Sequence, residues 1–171
     1  MKLTAKSLII AIILPYIYSS VWASDVKVAK LVSIVNLKTQ SLKHNGRGVM
    51  CVNIGVVTLQ ELPLYAQKAQ ECKYAVDSFL YTNPSFKRFA YKNLIIEQSY
   101  HYSIYKDGCI LYANGPESYS EMLLRNGLAI IKPEFDNREF NGKFKYAYDG
   151  AVRNKAGLHS TDIEELCELK Q

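Results

Sequence analysis

Metal-binding side chains are scarce in this chain. Its 171 residues include three histidines and four cysteines, with no C-x-x-C pair and no histidines at zinc-site spacing. A structural metal centre is thereby excluded as an expectation, and no cofactor motif takes its place. Long hydrophobic runs are also missing: beyond Ser24 no apolar stretch approaches the roughly 20 residues of a membrane-spanning helix. Charge of one sign is in short supply, since 21 Lys and Arg face 16 Asp and Glu, an excess too small to point to a nucleic-acid partner. Repeats and Gly/Pro/Ser-rich linkers are absent, so one domain is expected. With 49% apolar and 22% charged residues, disorder is excluded.

The beginning of the chain has a different character. Lys2 and Lys6 precede an almost wholly apolar run from Leu8 to Ile17, and Val21 and Ala23 stand at the small-residue positions of a cleavage site. Residues 1–23 therefore read as a signal peptide and 24–171 as the mature domain, exported to a periplasmic or extracellular space. No cysteine sits at the cleavage point, which argues against a lipid anchor. Export makes Cys51, Cys72, Cys109 and Cys167 candidates for two disulfides. Arithmetic alone leaves all three pairings open.

Alternation of Val26, Val28, Val32 and Ile34 predicts a first strand, and Asn45-Gly46 predicts a hairpin between a strand from Thr39 and one spanning Val49 to Val57. Pro63 suits a helix start, and Tyr65, Ala69, Cys72, Val76 and Phe79 form one helical stripe that ends before Asn83-Pro84. A fourth strand is expected over Lys92 to Tyr105 and a fifth over Cys109 to Ala113. Ser118 and Glu121 have capping-box spacing, and Gly127 is the expected stop of that helix. A third helix is expected from about Lys143 to Lys155. The tail follows, with Thr161 and Glu164 at capping-box spacing and Ile163, Leu166 and Cys167 on one face.

This order resembles the staphylococcal nuclease (thermonuclease-like) family. Met122-Leu123-Leu124-Arg125-Asn126-Gly127-Leu128-Ala129 is similar to the family's L-V-R-x-G-L-A. Val152-Arg153 and Gly157-Leu158-His159-Ser160 are similar to A-R…G-L-W-S, and Tyr105-Lys106-Asp107-Gly108-Cys109 is similar to D-x-Y-G-R. The resemblance implies an α+β fold: a five-stranded OB-like β-barrel with three packed helices and a C-terminal helical tail.

The family's chemistry needs two aspartates on calcium, a glutamate that activates water and two arginines on the phosphate. The family's D-G-D-T matches Asn36-Leu37-Lys38-Thr39, which puts a cation, Lys38, at a metal carboxylate. D-T-P-E falls on Val57-Thr58-Leu59-Gln60, so Val57 and Gln60 replace an aspartate and the base. The first arginine falls on Val52, Cys51 or Met50 according to register, and the second on Cys109. The resemblance thus implies a protein that is not an enzyme and holds no metal.

What remains is an exported binding or assembly module in the cell envelope, with a protein partner. The alternatives are a divergent secreted metal-dependent phosphodiesterase and a structural subunit of an envelope or secretion complex. Weak single-stranded nucleic-acid binding would use Lys38, Lys43 and Arg47 with Tyr100, Tyr102 and Tyr105, because an OB fold can stack bases on aromatic faces. Tyr91 and Tyr112 belong to the same aromatic cluster, for which packing in half-buried strands is the simpler reading. His159, Ser160 and Asp162 contain triad letters but lie too close together in one tail for independent positioning. The resemblance implies a Cys51–Cys109 disulfide, because both positions reach one phosphate in the family. The apolar faces of the first helix and the tail suggest Cys72–Cys167.

Overall fold

The computed structural model describes residues 25–168, so the leader expected over residues 1–23 lies outside the described residues. The chain opens on a meander, β1 (Lys27–Ile34), β2 (Thr39–His44) and β3 (Arg47–Val52). Asn45 and Gly46 make the β2–β3 turn with φ of 48° and 79°, the positive values that a two-residue hairpin needs. There follow β4 (Val56–Thr58), α1 (Leu62–Tyr65), α2 (Ala69–Thr82), α3 (Pro84–Lys87) and α4 (Phe89–Asn93). Next come β5 (Ser99–Tyr105), β6 (Gly108–Asn114), β7 (Glu117–Ser118), α5 (Tyr119–Arg125) and β8 (Ala129–Ile131). The chain closes with α6 (Asn141–Arg153), a 3₁₀ turn (Gly157–Ser160) and α7 (Ile163–Leu166).

The fold is α+β. Six strands form an antiparallel sheet in the order β3-β2-β1-β5-β6-β7, and β4 pairs with β8 in a separate two-stranded sheet. Where the sequence predicts a closed five-stranded barrel, the ladders draw an open sheet. The end of β3 still meets β6 through one parallel bridge, Asn53 to Cys109, with Ile54 N–H donating to the Cys109 carbonyl at 3.0 Å. The disulfide Cys51–Cys109 spans the same junction, with Cα atoms 5.3 Å apart. A second disulfide, Cys72–Cys167, ties α2 to the tail with Cα atoms 4.7 Å apart. All four cysteines are buried in the core.

Helix α5 is terminated as its sequence dictates. Ser118 Oγ accepts from Glu121 N–H at 3.2 Å, while the Glu121 carboxylate accepts from Ser118 N–H at 2.9 Å. This reciprocal cap contributes about 1 kcal/mol. Gly127 then turns the chain with φ of 61°. It packs back to back against Gly157, whose φ is 54°, and Leu158 N–H donates to the Gly127 carbonyl at 2.9 Å. A Cβ on either glycine would strike the other segment's backbone. The two stretches that carry the strongest family likeness are therefore one packing contact.

Several boundaries differ from expectation, each for a tertiary reason. The strand expected over Val49 to Val57 breaks at Gly55, whose φ is 77° and whose missing Cβ leaves room for the rings of Phe144 and Phe135. The fourth strand begins only at Ser99, because Phe89–Asn93 is helical and Glu97 turns the chain with φ of 71°. The first helix is interrupted at residues 66–68, which leaves Ala69 exposed and moves the buried stripe to Cys72, Val76, Phe79 and Leu80. In β1 the odd positions Ala29 and Leu31 are buried while Val26, Val28 and Val32 face outward, and a bulge between Leu31 and Ser33 changes the parity so that Ile34 turns inward. In the tail, Asp162 rather than Thr161 sits at the helix cap, and Leu166 is exposed while Ile163 and Cys167 are buried.

Candidate functional site

The β1–β2 turn is set by Asn36, whose Oδ1 accepts from the N–H groups of Lys38 and Thr39 at 2.9 and 2.8 Å. An Asx side chain that satisfies two amides in this way fixes the next residue's direction. Lys38 is thereby aimed at the β4–α1 corner, where its Nζ lies 3.0 Å from Glu61 Oε1. The other oxygen of Glu61 accepts from Thr58 N–H and Thr58 Oγ1, both at 2.9 Å. The two side chains are 16% and 31% exposed, which leaves the pair partly shielded from solvent. At such a site an ion pair is worth on the order of 1 kcal/mol.

Behind Lys38 lies a buried amide cluster. The Lys38 carbonyl accepts from Asn53 N–H at 3.1 Å and from Asn53 Nδ2 at 2.8 Å. Asn53 Nδ2 also donates to Gln40 Oε1, and Leu111 N–H donates to Asn53 Oδ1 at 3.4 Å. One side chain thus joins the start of β2, the end of β3 and the middle of β6. Gln40 Nε2 is buried without a hydrogen-bond partner among the described residues.

In front of Lys38 a cleft of about 290 Å³ opens towards the β5–β6 turn and the loop after β8. Tyr105, Lys106, Asp107, Lys132 and Glu134 stand around it. Asp136 lines it too, so that with Lys38 three cations face three anions, Lys132 Nζ lying 3.9 Å from Glu134, and the lining carries no excess of one sign. Tyr105 donates to Glu139 Oε2 at 3.2 Å and sits edge-on to Phe140 with centroids 5.9 Å apart.

The other residues expected at a site are dispersed. Val57 is fully buried in the core, while Gln60 is exposed and borders different surface hollows from the Lys38 cleft. Cys109 and Cys51 are consumed in a disulfide. Tyr100 is buried, its hydroxyl accepting from Ile95 N–H at 2.8 Å. Tyr102 is buried beneath His44, with ring centroids 5.8 Å apart. Neither ring has a free face for a base, which corrects the expected stacking platform. Lys43 and Arg47 lie on the β2–β3 hairpin with no ion-pair partner among the described residues. Five residues of extended chain separate Lys43 from Lys38, about 16 Å, so the three expected cations form no single patch.

Glu61, Asn53 and Gln40 were not expected at the site. Glu61 had a legible signal, because Thr58-x-x-Glu61 before Leu62-Pro63 has the spacing of a capping box. Chemically, the arrangement offers an ammonium already neutralised by a carboxylate whose two oxygens accept three hydrogen bonds. Among the described residues no group of three or more His, Cys, Asp or Glu is placed to hold a metal ion. Against known proteins, neither the family models nor the curated sequences contain a match to this chain.

Proposed function

We propose that the protein is an exported, staphylococcal-nuclease-like OB domain whose catalytic cleft has been replaced by internal bonds and which acts as a binding or assembly module in the cell envelope. The observation that carries this reading is the Lys38–Glu61 ion pair, together with the Cys51–Cys109 disulfide. In the resemblance, Lys38 stands where a carboxylate should hold calcium, Cys109 stands where one arginine should meet phosphate, and the other arginine falls on Val52, Cys51 or Met50 according to register. The Lys38 ammonium repels a divalent cation from this corner and ties up the Glu61 carboxylate, which then does not serve as a base. A disulfide carries no charge to stabilise a phosphorane-like transition state.

The strand order supports the OB reading, because β3-β2-β1-β5-β6 becomes a circuit once the Asn53–Cys109 bridge and the disulfide link its ends. The back-to-back contact of Gly127 and Gly157 supports it further. Two disulfides fit an oxidising compartment. No helix of the described residues is long and apolar enough to cross a membrane.

The test pairs a thermal melt with a cleavage assay. Ten millimolar calcium should leave the Tm unchanged, since a ligand stabilises only by binding the folded state, and single- and double-stranded DNA and RNA should remain intact. Calcium-dependent cleavage together with a raised Tm would overturn the reading in favour of a divergent phosphodiesterase.

A further inference from the structure

A hollow of about 730 Å³ lies away from the Lys38 cleft, between α2 and the α7 tail. Its floor is apolar, formed by Ala75, Phe79, Ile163 and Leu166, and Tyr74 stands at its edge with 78% of its surface exposed. That volume lies within the roughly 300–1,000 Å³ range of ligand-binding clefts. The walls are preformed: Cys72 and Cys167, adjacent to lining residues Glu71 and Leu166, are joined covalently. A preformed groove avoids part of the ordering cost of binding.

Charge narrows the occupant. Glu71 and Asp162 are the charged residues of the lining, which contains no lysine, arginine or histidine. Asp162 has no ion-pair partner among the described residues, and Glu71 meets only an exposed Lys68 at 3.6 Å, a contact of little strength. The whole chain carries a net charge of +5, so its general field repels cations. An acidic rim over an apolar floor is thus a local feature, set against the charge of the molecule. The groove follows α2 from Gln70 to Asn83, about 20 Å of helix.

We infer that the groove between α2 and α7 docks a basic amphipathic peptide segment of a partner protein, its apolar side chains on the floor and its lysines or arginines against Glu71 and Asp162. This inference rests on the reading of the chain as a binding module and supplies the chemistry of the partner. It corresponds to the helix-in-groove mode of recognition, with complementary charge setting the choice of partner.

The probe is a fluorescein-labelled, amidated amphipathic peptide of leucine and lysine, with a leucine–glutamate peptide of the same pattern as its counterpart, titrated into the oxidised full chain. The basic peptide should bind saturably and the acidic one should not, the opposite of what the protein's net charge favours. Glu71→Lys with Asp162→Lys should weaken binding at least tenfold. Ser78→Trp, at an exposed position of the groove lining, should abolish binding with little change in Tm. Equal binding of both peptides, no binding of the basic one, or binding indifferent to both variants would overturn the inference. The calcium and cleavage assays read the Lys38 cleft alone, so a failure here is distinguishable from a failure of the proposed function.

Discussion

The two disulfides close loops of similar closure entropy, yet they should differ sharply in what they contribute. Cys51–Cys109 spans 58 residues and Cys72–Cys167 spans 95. Loop-closure entropy alone assigns them about 4.2 and about 4.7 kcal/mol, with the longer loop ahead. The structure argues for the reverse order, because cutting a cross-link matters only as far as the native state stays put when it is cut. Cys51 and Cys109 are flanked by β2, β5 and the Asn53 cluster, so the sheet holds both ends in place. Beyond the 3₁₀ turn, Ile163 and Cys167 are the buried side chains among the described residues of the tail, and Gln67 N–H donates to the Glu168 carbonyl at 2.8 Å. Burying Ile163 offers about 2–3 kcal/mol, whereas ordering half a dozen residues costs about 1–2 kcal/mol each. Without its disulfide the tail should detach and recover entropy in the native state as well.

Cys51→Ala with Cys109→Ala should therefore cost about 4 kcal/mol or more, lowering Tm by roughly 8–16 °C for a domain of this size. Cys72→Ala with Cys167→Ala should cost clearly less and should expose tail amides to hydrogen exchange. Denaturant unfolding with matched m-values measures both. An equal loss in the two variants, or a larger loss from the tail pair, refutes the reasoning.

Other outcomes follow from single sites. Gly127→Ala or Gly157→Ala should destabilise by more than about 2 kcal/mol, since a Cβ meets backbone and the φ values are positive; near-neutral unfolding curves would contradict the back-to-back packing. Lys38→Met should cost about 1 kcal/mol and leave Glu61 without its cation, and high salt should narrow the gap to the parent protein. Tyr119 is buried with no partner for its hydroxyl among the described residues, and burial pushes that hydroxyl well above its ordinary value of 10.0. Since its pKa is raised on folding, the contribution is present below that ordinary value and is lost as pH rises above it. Tyr119→Phe should be neutral or mildly stabilising at pH 7 and should resist alkaline unfolding better than the parent, which a pH series of melts would read.

What the sequence determined by itself is local. The Asn45-Gly46 turn, the Ser118–Glu121 cap and the Gly127 stop depend on side chains within a few residues of the backbone they satisfy, so their spacing was enough. The two cysteine pairs followed from a family resemblance and from helix amphipathicity, and both appear in the structure. What only the tertiary structure decided concerns which face or which chain segment a residue meets. The bulge in β1 parts Ile34 from the outward face of Val26, Val28 and Val32, and Gly55 breaks a strand to admit the rings of Phe144 and Phe135. Tyr100 and Tyr102 point into the core because neighbouring strands cover them. Glu61 rather than Gln60 reaches Lys38, since a one-residue step into a helix turns a side chain by roughly 100° and only the fold sets where that turn begins. The groove between α2 and α7 brings together segments far apart in the chain, held by the Cys72–Cys167 bond, which spans 95 residues, and by the burial of Ile163, and its shape is a juxtaposition that no local spacing encodes.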